Sequence, residues 1–124
     1  MREADYRTLV DIPFASARRF PERIAQKYRV RDGFATTSYA EFAGQVRACA
    51  LGLRASGVAE GERVAFFCNN RHEWSIIDFA LMAAGAVSVP RASDTPAKEA
   101  GFLWRHAEAT VLIVERLADL VEIA

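Results

Sequence analysis

Two histidines and two cysteines are the side chains of this sequence best suited to acid–base or nucleophilic chemistry. His72 lies where a helix is predicted to begin beyond the carboxyl end of a strand, so it could act as an acid, a base or an anion contact. No paired nucleophile accompanies it, and we favour a solvated residue of the first helical turn. His106 lies near a predicted helix end, where it interacts favourably with the helix dipole, and we assign it no catalytic role.

The remaining reactive side chains are interpreted as core residues or as surface residues. Cys49 falls on the apolar stripe of a predicted helix and Cys68 ends an apolar strand, so we interpret both as small buried hydrophobes. Trp74 and Trp104 could line a ligand pocket, but apolar neighbours at helical spacing favour core packing. The acidic residues lack the spacing of a metal site or a glycosidase pair. They are Glu60, Glu62, Asp78, Glu99, Glu108 and Glu115.

The turns after the predicted strands lack the glycines that let backbone amides approach a phosphate. One reads Asn69-Asn70-Arg71-His72 and the other runs from Pro90 to Thr95, and neither matches a dinucleotide or nucleoside-triphosphate loop. Open parallel sheets place ligands at the carboxyl ends of their strands. The polar residues expected at such a rim are Arg71, Arg91, Ser93 and Thr95, although solvated loop residues would give the same pattern.

A strand–helix–strand–helix–strand pattern positions these residues and predicts two consecutive β-α-β units. The strands are residues 64–68, residues 86–89 closed by Pro90, and residues 110–114. The last strand is apolar from 111 to 114, as expected of a parallel strand that is dry on both faces. We therefore predict an α/β fold containing a parallel β-α-β-α-β layer.

Three helices belong to this layer. Asn70 is the predicted cap of the first, with Glu73 three positions on, and Pro96 is predicted at the first helical position of the second. The last begins within 115–124 and has no residue that would end it. The inward positions of the first helix are Trp74, Ile77, Leu81 and Ala84, and the apolar positions of the last are Leu117, Leu120, Val121 and Ile123.

A helix, a hairpin and a second helix are predicted ahead of this layer. The first helix follows Thr8, stops at Pro21 and offers Leu9, Ile12, Phe14 and Phe20 for packing. The hairpin turns at Asp32-Gly33 and returns over residues 34–37, with Ile24, Tyr28 and Val30 on one face of its first strand and Lys27 and Arg29 on the other. It is either a binding flap or, as we favour, a small sheet covering one side of the core.

The second of these helices has signals at both ends. Ser38-Tyr39-Ala40-Glu41 is a capping-box pattern, and Gly57 followed by Val58 fits a left-handed C-terminal cap. The helix is therefore predicted over residues 39–56. Its apolar stripe comprises Phe42, Val46, Cys49 and Leu53.

Composition excludes several classes of protein. The 124 residues contain sixteen Lys or Arg and sixteen Asp or Glu, so the sequence lacks the basic excess of a nucleic-acid-binding protein. The longest apolar run, residues 79–87, is far shorter than the about 20 residues of a membrane-spanning helix. The charged N-terminus is unlike a secretory signal, and two cysteines are too few for a disulfide framework. We expect reduced thiols in a cytosolic protein.

The predicted layer is expected to be incomplete. The third strand has no successor to cover its open edge, and the last helix has no terminating residue. We therefore expect residues 1–124 to form a single partial domain of a larger α/β protein.

Several short motifs occur in the order and spacing of one enzyme family. They are Ser38-Tyr39-Ala40-Glu41, Gly61-Glu62-Arg63-Val64-Ala65, Asn70-Arg71-His72-Glu73-Trp74, Ala84-Gly85-Ala86-Val87-Ser88-Val89-Pro90 and His106-Ala107-Glu108-Ala109. With them, the sequence from about Thr8 to Glu115 resembles the N-terminal part of AMP-forming acyl-CoA synthetases, most closely the long-chain fatty acid–CoA ligases of the adenylate-forming superfamily. It departs from that family at His72, where proline is usual, and over 91–94, where a Tyr and a second Pro are common.

The resemblance implies a parent enzyme that uses ATP and magnesium to activate a fatty acid as an acyl-adenylate. The acyl group then passes to the thiol of coenzyme A. The family's phosphate loop, ribose-binding acid and mobile lysine lie downstream of the matched region, so we carry over no catalytic, cofactor-binding or metal-binding residue. The parent is expected to be cytoplasmic, with peripheral membrane contact left open.

Three hypotheses for the chain follow. The first is an inactive N-terminal structural segment of a long-chain fatty acid–CoA ligase, whose partner is the remainder of its own chain. The second is a non-catalytic α/β module that binds an anionic ligand at the rim around Arg71 and Arg91. The third is an assembly element whose open sheet edge or apolar helix faces pair between chains.

Overall fold

The computed structural model describes residues 6–123, so Ala124 and the first five residues lie outside it. Within this range the chain forms five α-helices and five β-strands. The helices are α1 (Asp11–Arg19), α2 (Tyr39–Ala55), α3 (His72–Ala83), α4 (Ala97–His106) and α5 (Leu117–Ile123). The strands are β1 (Ile24–Val30), β2 (Gly33–Ser38), β3 (Arg63–Phe67), β4 (Val87–Arg91) and β5 (Val111–Val114).

Three parallel strands form the central sheet in the order β4-β3-β5. Val64 in β3 lies opposite Ser88 in β4 and opposite Val111 in β5, so β3 is paired along both of its sides. β3 is also the most deeply buried strand, since every residue from Val64 to Phe67 is at most 2% exposed. The predicted α/β class and parallel layer are confirmed.

Alternate residues of β3 face different helices. Val64 packs with Leu81 of α3, whereas Ala65 and Phe67 pack with Ala100 of α4 and Ile123 of α5. Helix α2 packs against the other side of α3, where the small residues Ala50, Ala80 and Ala84 allow close approach. The sheet therefore has helices on both faces, which the apolar β3 sequence requires.

The capping box of α2 forms as predicted. The Glu41 amide donates to the Ser38 hydroxyl at 3.2 Å, and the Ser38 amide donates to the Glu41 carboxylate at 2.7 Å. At the other end Gly57 has a φ of +100°, and the Val58 amide donates to the Leu53 carbonyl at 3.0 Å. These bonds satisfy backbone groups that a helix end otherwise leaves unpaired.

The hairpin also forms, with a slightly different turn. Val30 lies opposite Gly33, so Arg31 and Asp32 are the two connecting residues. Gly33 has a φ of +135°, whereas Asp32 does not have a positive φ. Ile24 and Val30 are exposed, so the predicted shared apolar face is wrong except at Tyr28, which is half-buried.

Several predictions of helix and strand ends are wrong by one or more residues. Arg71, and not Asn70, occupies the N-cap position of α3, and its side chain makes no cap hydrogen bond. Pro90 lies inside β4, which an edge strand tolerates because one side of it needs no amide donor. Pro96 precedes α4 as its N-cap residue and is not its first helical residue.

Several predicted packing positions are exposed. In α1, Pro13 and Ala15 are buried and Ile12 is exposed, as are Leu9 before the helix and Phe20 after it. The residues of β5 are half-buried and so are not dry on both faces. In α5, Leu117 and Val121 are each 78% exposed, and only Ile123 of the predicted apolar set is buried.

Candidate functional site

Polar residues of the predicted rim lie at the carboxyl end of the sheet, but the structure does not bring them into one site. Arg71 lines a cavity of about 560 Å³ beside the hairpin, whereas Arg91 lines a second cavity of about 500 Å³ between the ends of β3 and β4. The Thr95 hydroxyl donates to the Ala92 carbonyl at 2.7 Å and closes the turn before α4. Ser93 is half-buried in that turn.

Arg71 is held by two carboxylates. Its Nε and Nη2 donate to Glu73 at 2.7 and 2.9 Å, and its Nη1 donates to Glu115 at 3.3 Å. Glu115 also accepts the Asn69 amide at 3.0 Å, which ties the end of β5 to the turn after β3. These contacts raise the pKa of Arg71 and hold the pKa of Glu73 below its usual range. Arg71 is therefore an internal ion-pair partner in this structure.

The cavity between β3 and β4 is a crevice at the point where successive helices pass to opposite faces of the sheet. Helix α3 leaves β3 toward one face of the sheet, and α4 leaves β4 toward the other, which is the position where open α/β sheets bind ligands. Arg91 makes no side-chain ion pair or hydrogen bond within residues 6–123. The cavity is lined by Cys68, Asn69, Asn70, Trp74, Pro90, Arg91, Ala92 and Asp94.

His72 joins the hairpin to the start of α3. Its ring stacks on Tyr28, with centroids 3.9 Å apart and an 11° angle between planes, and its Nδ1 lies 3.2 Å from Glu73. The Gln26 amide donates to the His72 carbonyl and to the Ser75 hydroxyl, both at 2.9 Å. His72 is thus partly enclosed, and neither cysteine lines its cavity. Gln26 was not predicted from the sequence, where the only indication is that this polar residue lies on the same face of β1 as Tyr28.

The cysteines and tryptophans match their predicted core positions only in part. Cys68 is buried and Cys49 is half-buried, and burial raises the pKa of both thiols, so neither is activated as a nucleophile. Trp104 packs beside Ala65 and Phe67, and its Nε1 donates to the Ala109 carbonyl at 2.6 Å. Trp74 stacks on Phe66 and also lines both cavities.

His106 and the scattered acids have local roles. His106 is the last residue of α4 and stacks on Phe102. Glu62 accepts from the Thr110 hydroxyl and the Ala59 amide, which lower its pKa, and Glu108 pairs with Arg63. Across residues 6–123, no three His, Cys, Asp or Glu side chains are grouped so that they could hold a metal ion. Nor does any helix in that range have the length and apolar character needed to cross a bilayer.

Acid is expected to weaken the Arg71–Glu73 pair. The pKa of Glu73 is lower in the folded chain than its ordinary value of about 4.3. The ion pair therefore stabilises the fold above about pH 4.3, and this stabilisation is lost as the pH falls through the lowered pKa of Glu73. The free energy of unfolding of Glu73→Gln should differ most from wild type at neutral pH. The difference should shrink below about pH 4, and it should be small because both side chains are more than a third exposed.

Urea unfolding at a series of pH values measures this difference. Glu99→Gln is the matched control, because Glu99 lies on α4 and has no ion pair within the described range. A Glu73→Gln difference that stays constant or grows as the pH falls would contradict the assignment.

Comparison with known proteins gives a consistent result. The family profile described as "AMP-binding enzyme" matches residues 14–124. The long-chain-fatty-acid–CoA ligase FadD15 of Mycobacterium tuberculosis is 44% identical over 88 residues, which are 70% of this chain and 15% of that protein. The chloroplastic long-chain-fatty-acid–[acyl-carrier-protein] ligase AEE15 of Arabidopsis thaliana is 30% identical over 115 residues, 93% of this chain and 16% of that protein. The chain thus spans about a sixth of these relatives.

The fold has a match among solved structures. The N-terminal subdomain of NpsA from Klebsiella oxytoca superposes with a TM-score of 0.82 at 31% identity, over 90% of this chain and 28% of that one. The likeness therefore extends across almost all of the described elements.

Proposed function

The chain belongs to the AMP-binding enzyme family, and from that premise we propose that it is the N-terminal structural segment of a long-chain fatty acid–CoA ligase. The observation that carries the proposal is the 44% identity to a long-chain-fatty-acid–CoA ligase over 88 residues. In the parent enzyme, ATP and magnesium would activate the fatty acid as an acyl-adenylate, and the coenzyme A thiol would then displace AMP. We place this parent in the cytoplasm.

The residues of the chain do not themselves fit ATP and magnesium. Backbone cradles for phosphate need glycine where the chain approaches the anion, and the turns after β3 and β4 contain none. Residues 6–123 also contain no group of three His, Cys, Asp or Glu side chains that could hold a magnesium ion. We therefore propose that the groups that contact ATP, magnesium and coenzyme A belong to the remainder of the parent, and that the segment is inactive by itself.

The proposed role of the segment is to supply a sheet and helix layer on which that remainder packs. Within residues 6–123, β4 and β5 each have one unpaired edge, and β5 is only half-buried although all four of its residues are apolar. On the outer layer, Leu117 and Val121 of α5 and Phe102 of α4 are highly exposed. Covering such apolar surface is favourable, which supports the remainder of the same chain as the partner.

The two alternatives have narrower support. An anion-binding module would have to rely on Arg91, because Arg71 is already paired with Glu73 and Glu115. An assembly element would use the same sheet edges and apolar helix faces that the first proposal assigns to the remainder of the parent.

A segment exchange tests the proposal. The part of FadD15 that aligns with this chain is replaced by this chain, and fatty-acid-dependent ATP–pyrophosphate exchange and acyl-CoA formation are measured. We expect the chimera to be active and the chain alone to give no exchange. Phe102→Ala in the chimera removes one of the exposed apolar side chains assigned to that surface and should lower the activity of the chimera.

Two results would overturn the proposal. One is fatty-acid-dependent exchange by the chain alone. The other is a chimera that is either insoluble or folded but inactive, because a segment with this role must complete the sheet of a related ligase.

A further inference from the structure

A groove runs along the seam between α1 and α2. Two adjoining cavities of about 500 and 490 Å³ form it, and Phe14 and Arg47 line both of them. Residues of α2 line the groove from Ala40 to Leu51, over about 16 Å of helix, and Arg47 is the one charged residue among them. Leu51 is 66% exposed. The groove is therefore an apolar surface that is open to solvent in the single chain.

The groove has opposite charges at its two ends. Asp11 lines one cavity and Arg18 lines the other, and both belong to α1. Seven residues separate them, so they lie on the same face of the helix and about 10 Å apart along its axis. Phe14 lies between them and contributes to both cavities. The start of α1 thus provides an acidic end, and the last turn of α1 provides a basic end.

Both of these charges are available to a partner. One carboxylate oxygen of Asp11 accepts the Thr8 amide at 2.8 Å and the Arg7 amide at 2.9 Å. These bonds hold the side chain in place and lower the pKa of Asp11, so the carboxylate is ionised at neutral pH. Its other oxygen accepts no hydrogen bond from residues 6–123, and Arg18 makes no ion pair in that range. A new ion pair to either side chain would therefore break no existing bond.

A surface with an acidic end, an apolar middle and a basic end is complementary to itself. In a dimer with two-fold symmetry, the same surface of both copies forms the interface. An axis near Phe14, with the two α1 helices antiparallel, brings Asp11 of each copy next to Arg18 of the other. A purely acidic or purely basic partner would instead place a like charge against one end of the groove. We propose that the groove between α1 and α2 is the interface of a symmetric dimer of this chain.

The apolar middle of the groove supplies the driving force for this dimer, since burial of apolar surface dominates most protein association. Two Arg47 side chains would lie near the axis. The Arg47 guanidinium carbon is 5.7 Å from the Phe14 ring centroid, and the attraction of the ring for the cation offsets part of their repulsion. The groove is too short to bury the about 800 Å² per partner of a standard interface, so the dimer is expected to be weak.

This proposal goes beyond the proposed ligase function and uses a separate surface. Helix α2 packs on α1 and on α3, whereas α4 and α5 pack on the opposite face of the sheet from α3. The exposed apolar side chains of α4 and α5 were assigned to the remainder of the parent. Failure of either proposal therefore leaves the other intact.

Sedimentation velocity over a range of protein concentrations tests for the dimer. We expect the dimer fraction to rise between about 10 μM and about 1 mM protein, the range of a weak complex. Added salt should lower the dimer fraction, because the pairs between Asp11 and Arg18 are at the surface. Monomer alone at about 1 mM protein would overturn the proposal.

Exchange of charges tests the pairing itself. Asp11→Arg makes both ends of the groove basic, and Arg18→Asp makes both ends acidic, so each variant alone should associate at least about tenfold more weakly than wild type. An equimolar mixture of the two variants should form a heterodimer, because every basic end then meets an acidic end. Arg105→Asp is the matched control, since it reverses an exposed charge in the last turn of α4, and it should dimerise like wild type. A mixture that does not associate, or an equal loss in the control, would overturn the proposal.

A further variant tests the interface without altering α1. Leu51→Glu places a carboxylate in the apolar middle of the groove, and because Leu51 is exposed the change should leave folding intact. We expect Leu51→Glu to be monomeric. Leu117→Glu is its control, because Leu117 is 78% exposed on α5 and outside the groove. A dimer that persists in Leu51→Glu, or one that is lost in Leu117→Glu, would contradict the assigned interface.

Discussion

Replacing Phe66 with alanine is expected to lower the free energy of unfolding by about 3–5 kcal/mol, the usual cost of removing a buried phenylalanine. Phe66 is 1% exposed in the central strand, with Pro90 and Ile113 opposite it in the two neighbouring strands. Its ring stacks on Trp74, with centroids 5.7 Å apart. Small domains are stable by only about 5–15 kcal/mol, so this loss is a large part of the total.

Urea unfolding of Phe66→Ala and Phe102→Ala measures the effect of burial on the same substitution. Phe102 lies on α4 and is 58% exposed, so its variant should stay within about 0.5 kcal/mol of wild type. Similar losses in the two variants would show that the sheet core is not where the structure places it.

Gly85→Ala is expected to destabilise the chain by about 1–3 kcal/mol. Gly85 follows α3 with a φ of +78°, a conformation that side chains rarely adopt. A Cβ atom there would also lie 3.0 Å from Cγ of Glu60, closer than two carbon atoms normally approach. The Gly85 carbonyl accepts the Gly61 amide at 2.8 Å, so the backbone cannot relax without losing that bond.

Gly44→Ala is the matched control and should have the opposite sign. Gly44 lies within α2, has an ordinary φ and would place its Cβ in open space. Alanine there should stabilise the helix by about 0.5–1 kcal/mol. Thermal and urea unfolding of the two variants give the comparison, and a stabilising Gly85→Ala would refute the assigned turn.

The parts of the fold that were predictable from sequence depend on neighbouring residues. The capping box needs only Ser38 and Glu41, and the end of α2 needs only Gly57 and Val58. The alternation of apolar strands and helices likewise indicated the α/β class and its parallel strands. In each case a local sequence pattern is compatible with one structure in which the backbone groups are hydrogen-bonded.

Predictions failed where a distant partner changes the local preference. Asn70 is a good cap by type, but Arg71 takes the N-cap position and its side chain pairs with Glu73 and Glu115. Pro90 would end a central strand, yet β4 is an edge and tolerates it. The exposure of Leu117 depends on what packs beside α5, which the periodicity of the helix does not contain.

The candidate site was the least predictable part of the chain. Glu115 reaches Arg71 because β5 lies next to β3, and this strand order cannot be read from the spacing of the two residues. The stack of Tyr28 on His72 likewise depends on how the hairpin docks on α3. Side-chain chemistry identified the residues, but the tertiary arrangement decides which of them meet.

The central position of β3 also sets an order of assembly. Its ladder with β4 closes a chain segment that contains one helix, whereas its ladder with β5 closes a segment that contains two helices and a strand. Closing the longer segment costs more chain entropy, so β5 joins a β3–β4 nucleus and is the first strand to leave it. In amide hydrogen exchange, protection should therefore persist longest in β3 and be lost first at the β5 amides that are bonded to β3.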